Sequence, residues 1–348
     1  GVGITALLLL LRTPLLTMLG AQADTVQYAR DYYTWIAVGA PFIILSFTPC
    51  NQLRTEGFAN ASMIGSVLGA VVNIVLDPVL IFGCKLGAAG AAIATVIGYV
   101  FTDLYYVWFL IRRSRHLSVN IRLLRVSRRE VGQVFAIGIP ASITNIAQSF
   151  CMLITNRFLV PYGTDKVAAM GIALKVSMIA VLVLIGFAFG VQPLIGYNYG
   201  AQNYRRLRQV LRFSYQFTIG LGLVLTVIVF AAAPLLIRLF MQDGSVYELG
   251  VAMLRRLLLG TAFYAFTLVT TCAFQATGKA VGAFVLSISG QGVIYGLVIW
   301  ALSSIWGYDG VIVTQPVADV LTCLLAVVLY FTSLHRVIRK GVAEQKEA

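Results

Sequence analysis

The sequence predicts an all-α integral membrane protein of two pseudo-symmetric helical bundles, with about ten of twelve transmembrane helices present. Three observations carry this expectation. Hydrophobic residues fill 59% of the 348 positions and charged ones only 11%, against roughly 25% charged in soluble domains. The apolar residues run in blocks, as at 181–191, 217–240 and 320–334. A helix crossing a bilayer needs about 20 such residues, and the alternating pattern of a membrane barrel is missing. Landmarks also recur at a constant spacing. Pro14-Leu15-Leu16 returns as Pro234-Leu235-Leu236, and Gly39-Ala40-Pro41-Phe42 as Gly260-Thr261-Ala262-Phe263. Gly57, Gly87 and Gly90 return as Gly278, Gly307 and Gly310, and all the offsets are 220 or 221 residues. Parallel repeats of this kind build transporters whose substrate path lies between two related halves.

Taken in order, the first span is expected at 2–20, where Arg12 and Pro14 interrupt the apolar run and no basic leader marks a cleaved signal peptide. Spans at 33–53 and 62–83 follow, the latter carrying Asn73, Asp77 and Pro78 in an otherwise apolar stretch. A short turn around Cys84 and Lys85 leads into a fourth span at 88–111. The basic, partly amphipathic segment 112–130, with Leu117, Ile121, Leu124 and Val126 among arginines, is expected to lie along the cytoplasmic membrane surface. Spans at 132–160 and 167–198 contain Arg157 and Lys175, the first expected to snorkel and the second to be structural or to neutralise a carboxylate. Four more are expected at 209–240, 250–275, 281–304 and 310–334. The halves are thus 1–111 and 131–337, with a cytoplasmic tail at 338–348. Spans five and six have no counterpart in the first copy. Their partners would start about 90 residues before Gly1, so an N-terminally truncated twelve-helix protein is expected.

The net charge of +13 is concentrated between spans. Arg112, Arg113, Arg115, Arg122, Arg125, Arg128 and Arg129 form one cluster, Arg205, Arg206, Arg208 and Arg212 another, and Arg336, Arg339, Lys340 and Lys346 lie in the tail. Such clusters stay in the cytoplasm and meet anionic lipid head groups, which places both present termini on that side of a multi-pass cell membrane protein and argues against nucleic acid as a partner. The five cysteines and two histidines show no metal-ligand spacing. No P-loop, HExxH or GxSxG sequence occurs, so neither an enzyme nor a cofactor is expected.

Polar groups inside a bilayer are costly and mark candidate sites. Asn73 and Asp77 share a helix face at i, i+4. Thr95 lies about as far after the Cys84 turn as Asp77 lies before it, so all three fall roughly 12–15 Å below the outer end. Their carboxylate, amide and hydroxyl oxygens suit Na⁺, and a partly desolvated carboxylate can hold a proton instead; the alternative is a packing network of hydrogen bonds. Asp103 lies deeper and reads either as part of a proton path or as the partner of an inner-face arginine. Asp319, after Gln315 and Pro316, is a second carboxylate and a candidate for substrate or coupling. Gln192 and Tyr197 are further candidates for the substrate or proton path.

The stretches Leu53-Arg54-Thr55-Glu56-Gly57, Asn73-Ile74-Val75-Leu76-Asp77-Pro78 and Gly87-Ala88-Ala89-Gly90-Ala91-Ala92-Ile93-Ala94-Thr95 resemble the N-half signature of multidrug and toxin extrusion (MATE) transporters. In the other half, Gln192-Pro193-Leu194-Ile195-Gly196-Tyr197-Asn198-Tyr199-Gly200-Ala201, Phe274-Gln275-Ala276-Thr277-Gly278-Lys279 and Pro316-Val317-Ala318-Asp319 add to the resemblance. It implies two six-helix bundles, and efflux of organic cations or drugs by a monomer in exchange for Na⁺ or H⁺. It also implies a cation site at Asn73, Asp77 and Thr95, although the acidic residue that one branch carries on its first helix is not in this chain. A second branch uses acidic residues on its seventh and tenth helices, and the matching spans 132–160 and 250–275 have none in their interiors. A lipid-linked saccharide flippase shares the broad architecture but calls for a strongly basic cavity, whereas the charges here lie mostly in loops. An inactive fragment is the remaining alternative.

Overall fold

The computed structural model describes residues 2–14, 26–114, 127–240 and 244–347, and all regular elements among them are helical. The chain divides into two compact units, Gly1–Arg125 and Val126–Ala348. The division falls within the predicted linker, of which 115–126 lie outside the described residues, together with the amphipathic surface segment expected there.

The first unit contains α1 (Val2–Leu10), α2 (Val26–Thr55), α3 (Ala59–Pro78) and α4 (Gly87–Arg113). Pro78 has no N–H to give to the helical ladder, and a π-helical turn, Val79–Gly83, follows it. The far end of the first predicted span, 15–20, lies outside the described residues. Helix α4 packs against both α2 and α3. Its approach to α3 depends on small residues: a Cβ on Gly65 would collide with the Tyr106 ring, and one on Gly69 with Thr102. The cost of a buried phenol is met by hydrogen bonds, since the fully buried Tyr106 donates to Ser62 O at 2.7 Å and lies 2.9 Å from Ser66 Oγ.

The second unit begins with α5 (Arg128–Leu159), whose start is set by a capping box between Ser127 and Glu130. Then come α6 (Thr164–Gly200), α7 (Tyr204–Arg238), α8 (Ser245–Leu257), α9 (Thr261–Ala276), α10 (Ala280–Ile288), α11 (Tyr295–Leu329) and α12 (Arg336–Glu347). The single span expected at 250–275 is two helices joined by a 3₁₀ turn, Leu258–Gly260. Helix α11 is broken at Gly307 (φ 55°, ψ −125°), which separates the two spans expected at 281–304 and 310–334.

Among the described residues, seven helical stretches are long and apolar enough to cross a membrane, and the last, Ala280–Ala343, holds both spans that meet at Gly307. The internal repeat is written in the backbone. Gly57 and Gly278 have φ of 87° and 71°, and Gly87 and Gly307 of 53° and 55°, positive values that glycine adopts without steric cost. A Cβ on Gly90 would sit 2.8 Å from Leu80 O, and one on its counterpart Gly310 would overlap Leu302 O. In each unit a glycine admits the close return of the chain.

Candidate functional site: a polar cavity in the N-terminal unit

Helices α2, α3 and α4 enclose a cavity of about 370 Å³ lined by Ser46, Cys50, Ser66, Asn73, Thr95 and Tyr99, among others. The cavity exists because α3 and α4 meet backbone to backbone just beneath it: a Cβ on Gly98 would lie 2.7 Å from Gly69 O. That contact brings polar side chains of two helices within reach of one another. Asn73 Nδ2 lies 3.4 Å from Asp77 Oδ1 and 3.4 Å from Thr95 Oγ1. Thr95 in turn donates to Ala91 O at 2.9 Å, which leaves its lone pairs free to accept.

The three residues singled out from the sequence therefore form one chain, Asp77 to Asn73 to Thr95, at half-buried positions. Asn73 and Thr95 line the cavity, and Asp77 reaches it through Asn73. A carboxylate, an amide oxygen and a hydroxyl oxygen within one side-chain length are hard oxygen donors of the type that bind alkali cations. Tyr99 and Ser66 also line the cavity, and hydropathy gave no reason to single them out.

The other candidates are dispersed. Asp103 is 5% exposed and sits away from the cavity lining; neither carboxylate oxygen has a hydrogen-bond partner among the described residues, and no arginine pairs with it there. In the second unit Gln192 Nε2 donates to Gln275 Oε1 at 3.1 Å. Tyr197, 75% exposed, lies near the end of α6. Asp319 accepts from Gln315 Nε2 at 3.0 Å and faces a cavity of its own. Lys175 is exposed and makes no ion pair with a carboxylate among the described residues. Arg256 pairs with Asp309.

The family model described as MatE matches residues 1–79 and 140–300. The two matches end 221 residues apart, in step with the internal repeat. The multidrug export protein MepA of Staphylococcus aureus (strain MRSA252) is 32% identical over 315 residues, which cover 90% of this chain and 69% of that protein. MepA of Staphylococcus saprophyticus is 28% identical over 314 residues, with the same coverage of 90% and 69%. Among solved structures, a MATE protein in its bent conformation superimposes with a TM-score of 0.89 at 23% identity, covering 98% of this chain and 76% of that one. A variant of the Vibrio cholerae MATE transporter VcmN superimposes with a TM-score of 0.88 at 23% identity, covering 96% and 76%. At these identities the structures establish the fold, while the family model and the MepA relatives establish kinship. This chain is a member of the MatE, or multidrug and toxin extrusion, family.

Proposed function

We propose that this chain is a secondary active efflux transporter that exports organic cations or drugs in exchange for Na⁺ or H⁺. The observation that carries the reading is the run Asp77, Asn73, Thr95 at the edge of a cavity of about 370 Å³. That volume is at the lower end of the roughly 300–1,000 Å³ range of small-molecule pockets. The MepA relatives are multidrug export proteins by name, which agrees with a drug-sized substrate. The cation binds, or the proton adds, at Asp77 and alters the packing of α3 on α4 through Asn73 and Thr95. It drives transport only by binding the inward- and outward-open states with different affinity, as a tenfold preference, about 1.4 kcal/mol, would do. Transport proceeds by alternating access between the two helical halves and needs no covalent step on the substrate and no cofactor beyond the coupling ion. The arginine-rich segments hold both present termini in the cytoplasm, against the inner leaflet.

The test is cationic-dye efflux from cells expressing the protein, with and without Asp77→Asn. Coupled efflux is expected to disappear in the variant while membrane insertion stays at the wild-type level. Efflux that survives Asp77→Asn and still collapses with the ion gradient removes Asp77 from the coupling role. Reporter fusions at each terminus check the orientation, and a terminus found outside the cell overturns it.

A further inference from the structure

The second unit holds a smaller cavity, of about 80 Å³, that the Asp77 site does not involve. Brought into register by the internal repeat, it is the same pocket as the one in the first unit. Cys50, Ser66 and Gly69 correspond to Thr271, Ser287 and Gly290, each 221 residues later, and Tyr99 and Thr102 to Asp319 and Thr322, each 220 later; all ten line their respective cavities. The packing beneath is also repeated. Gly69 lies against Thr102, and a Cβ on Gly290 would meet Thr322 Cγ2 at 2.9 Å. Thr102 donates to Gly98 O at 3.0 Å, and Thr322 to Ala318 O at 2.7 Å.

The lining has changed in one decisive respect. Where the first pocket has Tyr99, the second has the carboxylate of Asp319. Its Oδ1 accepts from Gln315 at 3.0 Å, and its Oδ2 turns towards Gly260, where a Cβ would collide with it. Gln291 Oε1 is buried beside the same cavity with no hydrogen-bond partner among the described residues. The lining threonines 267, 271 and 322 each donate their single proton to a carbonyl of their own helix, Thr271 to Thr267 O at 2.9 Å for instance. Their lone pairs remain as acceptors. Only Tyr264, Ser287 and the Gln291 amide are left to offer protons, and no lysine or arginine lines the cavity. A space this rich in oxygen acceptors, with one carboxylate, suits a single positive charge. Its volume matches two or three waters at about 30 Å³ each, well below the roughly 300 Å³ of a drug pocket.

We propose that Asp319, Gln291 and Thr271 form a binding site for one Na⁺ ion in the C-terminal unit, separate from the site at Asp77. Asp319 supplies the balancing charge, Gln291 Oε1 and Thr271 Oγ1 supply neutral oxygens, and Gly260 leaves the room that the carboxylate occupies. The assignment does not rest on the role of Asp77, so it is tested in its absence.

The experiment is saturable ²²Na⁺ binding to the whole chain, purified in detergent and carrying Asp77→Asn. One Na⁺ per chain is expected to remain. Adding Asp319→Asn should abolish it, and Thr271→Val, which keeps the shape and removes the hydroxyl, should weaken it about tenfold. Cooperative thermal melting of each variant confirms that it is folded; if Asp319→Asn does not fold, Thr271→Val and Gln291→Met carry the test alone. Binding unchanged by these substitutions, or no saturable binding in folded Asp77→Asn protein, overturns the site. Displacement of ²²Na⁺ by unlabelled Na⁺ but not by K⁺ is expected of this pocket, and equal displacement by K⁺ overturns its assignment as a Na⁺ site.

Discussion

Replacing Gly98 by alanine tests the central geometric claim about the N-terminal cavity. The new Cβ would lie 2.7 Å from Gly69 O and 3.3 Å from Asn73 Cβ, where ordinary contact begins at 3.4 Å. A backbone carbonyl cannot rotate out of the way, so α3 and α4 must move apart by about 0.7 Å at this point. The Asn73–Thr95 contact, already long at 3.4 Å, then opens to about 4.1 Å and ceases to be a hydrogen bond. The bond from Thr102 Oγ1 to Gly65 O, at 3.2 Å, is stretched with it. Overpacking of this kind costs about 1–3 kcal/mol, and loss of one oxygen from a cation site at about 1.4 kcal/mol corresponds to a tenfold loss of affinity. The control is Gly83→Ala, since nothing lies within 4 Å of a Cβ there. Thermal melting of the purified protein reads the packing, and the ion-gradient dependence of dye efflux reads the site. Gly98→Ala should melt well below Gly83→Ala and should need a steeper gradient for the same efflux. If the two variants melt together and efflux is unchanged, α3 and α4 do not meet at Gly69 and Gly98 and the cavity described here is wrong.

Three further predictions follow from other contacts. Tyr106→Phe removes the hydroxyl that donates to Ser62 O; interhelical hydrogen bonds in membrane proteins average about 0.6 kcal/mol, so a small fall in melting temperature is expected, and a loss above about 2 kcal/mol would contradict that ledger. Gly307→Ala places a side chain at φ 55°, ψ −125°, close to Tyr162 Oη at 3.2 Å; a cost of about 1–3 kcal/mol is expected, and folded yield at the wild-type level would show that the turn is not as described. Lys279 donates from Nζ to Ser333 O at 2.9 Å and to Ser333 Oγ at 3.0 Å, and burial holds its pKa below the usual 10.5. The unfolded chain therefore binds more protons in the window below 10.5. The group's contribution to stability thus rises as pH rises through that window, and below the lowered folded value, where both states are protonated, it is constant. The melting-temperature gap between wild type and Lys279→Met should widen towards pH 10.5, and a gap that narrows would reverse the assignment.

Much of this architecture is legible in the linear chain. Hydropathy reports partition between water and lipid, a property of a segment by itself, so the class of protein and the positions of the spans follow from it. The conjunction of Asn73, Asp77 and Thr95 follows as well. One pair shares a helix face at i, i+4, and the short turn at Cys84 places Thr95 at the depth of Asp77, so local geometry alone brings them together. The repeated glycines mark the two chain reversals, because their positive φ values are ones that glycine adopts without strain. The split of the span at 250–275 by a 3₁₀ turn is invisible to hydropathy, since the turn Leu258–Gly260 is itself apolar.

What only the tertiary structure decided is which helix faces meet. Gly69 stands in a GxxxG spacing with Gly65 that is common in membrane helices, and Gly98 is one of 32 glycines, so the sequence does not pair them, yet their contact shapes the N-terminal cavity. Asp319 reads from sequence as a lone second carboxylate. Its neighbours in space, Tyr264, Thr271 and Gln291, come from other helices, and hydropathy carries no term for the lateral contact that gathers them. The equivalence of the two pockets, one with a tyrosine and the other with a carboxylate at the same place, appears only once both are folded. Insertion into the bilayer is decided helix by helix, whereas a binding site is decided by the close approach of one helix to another.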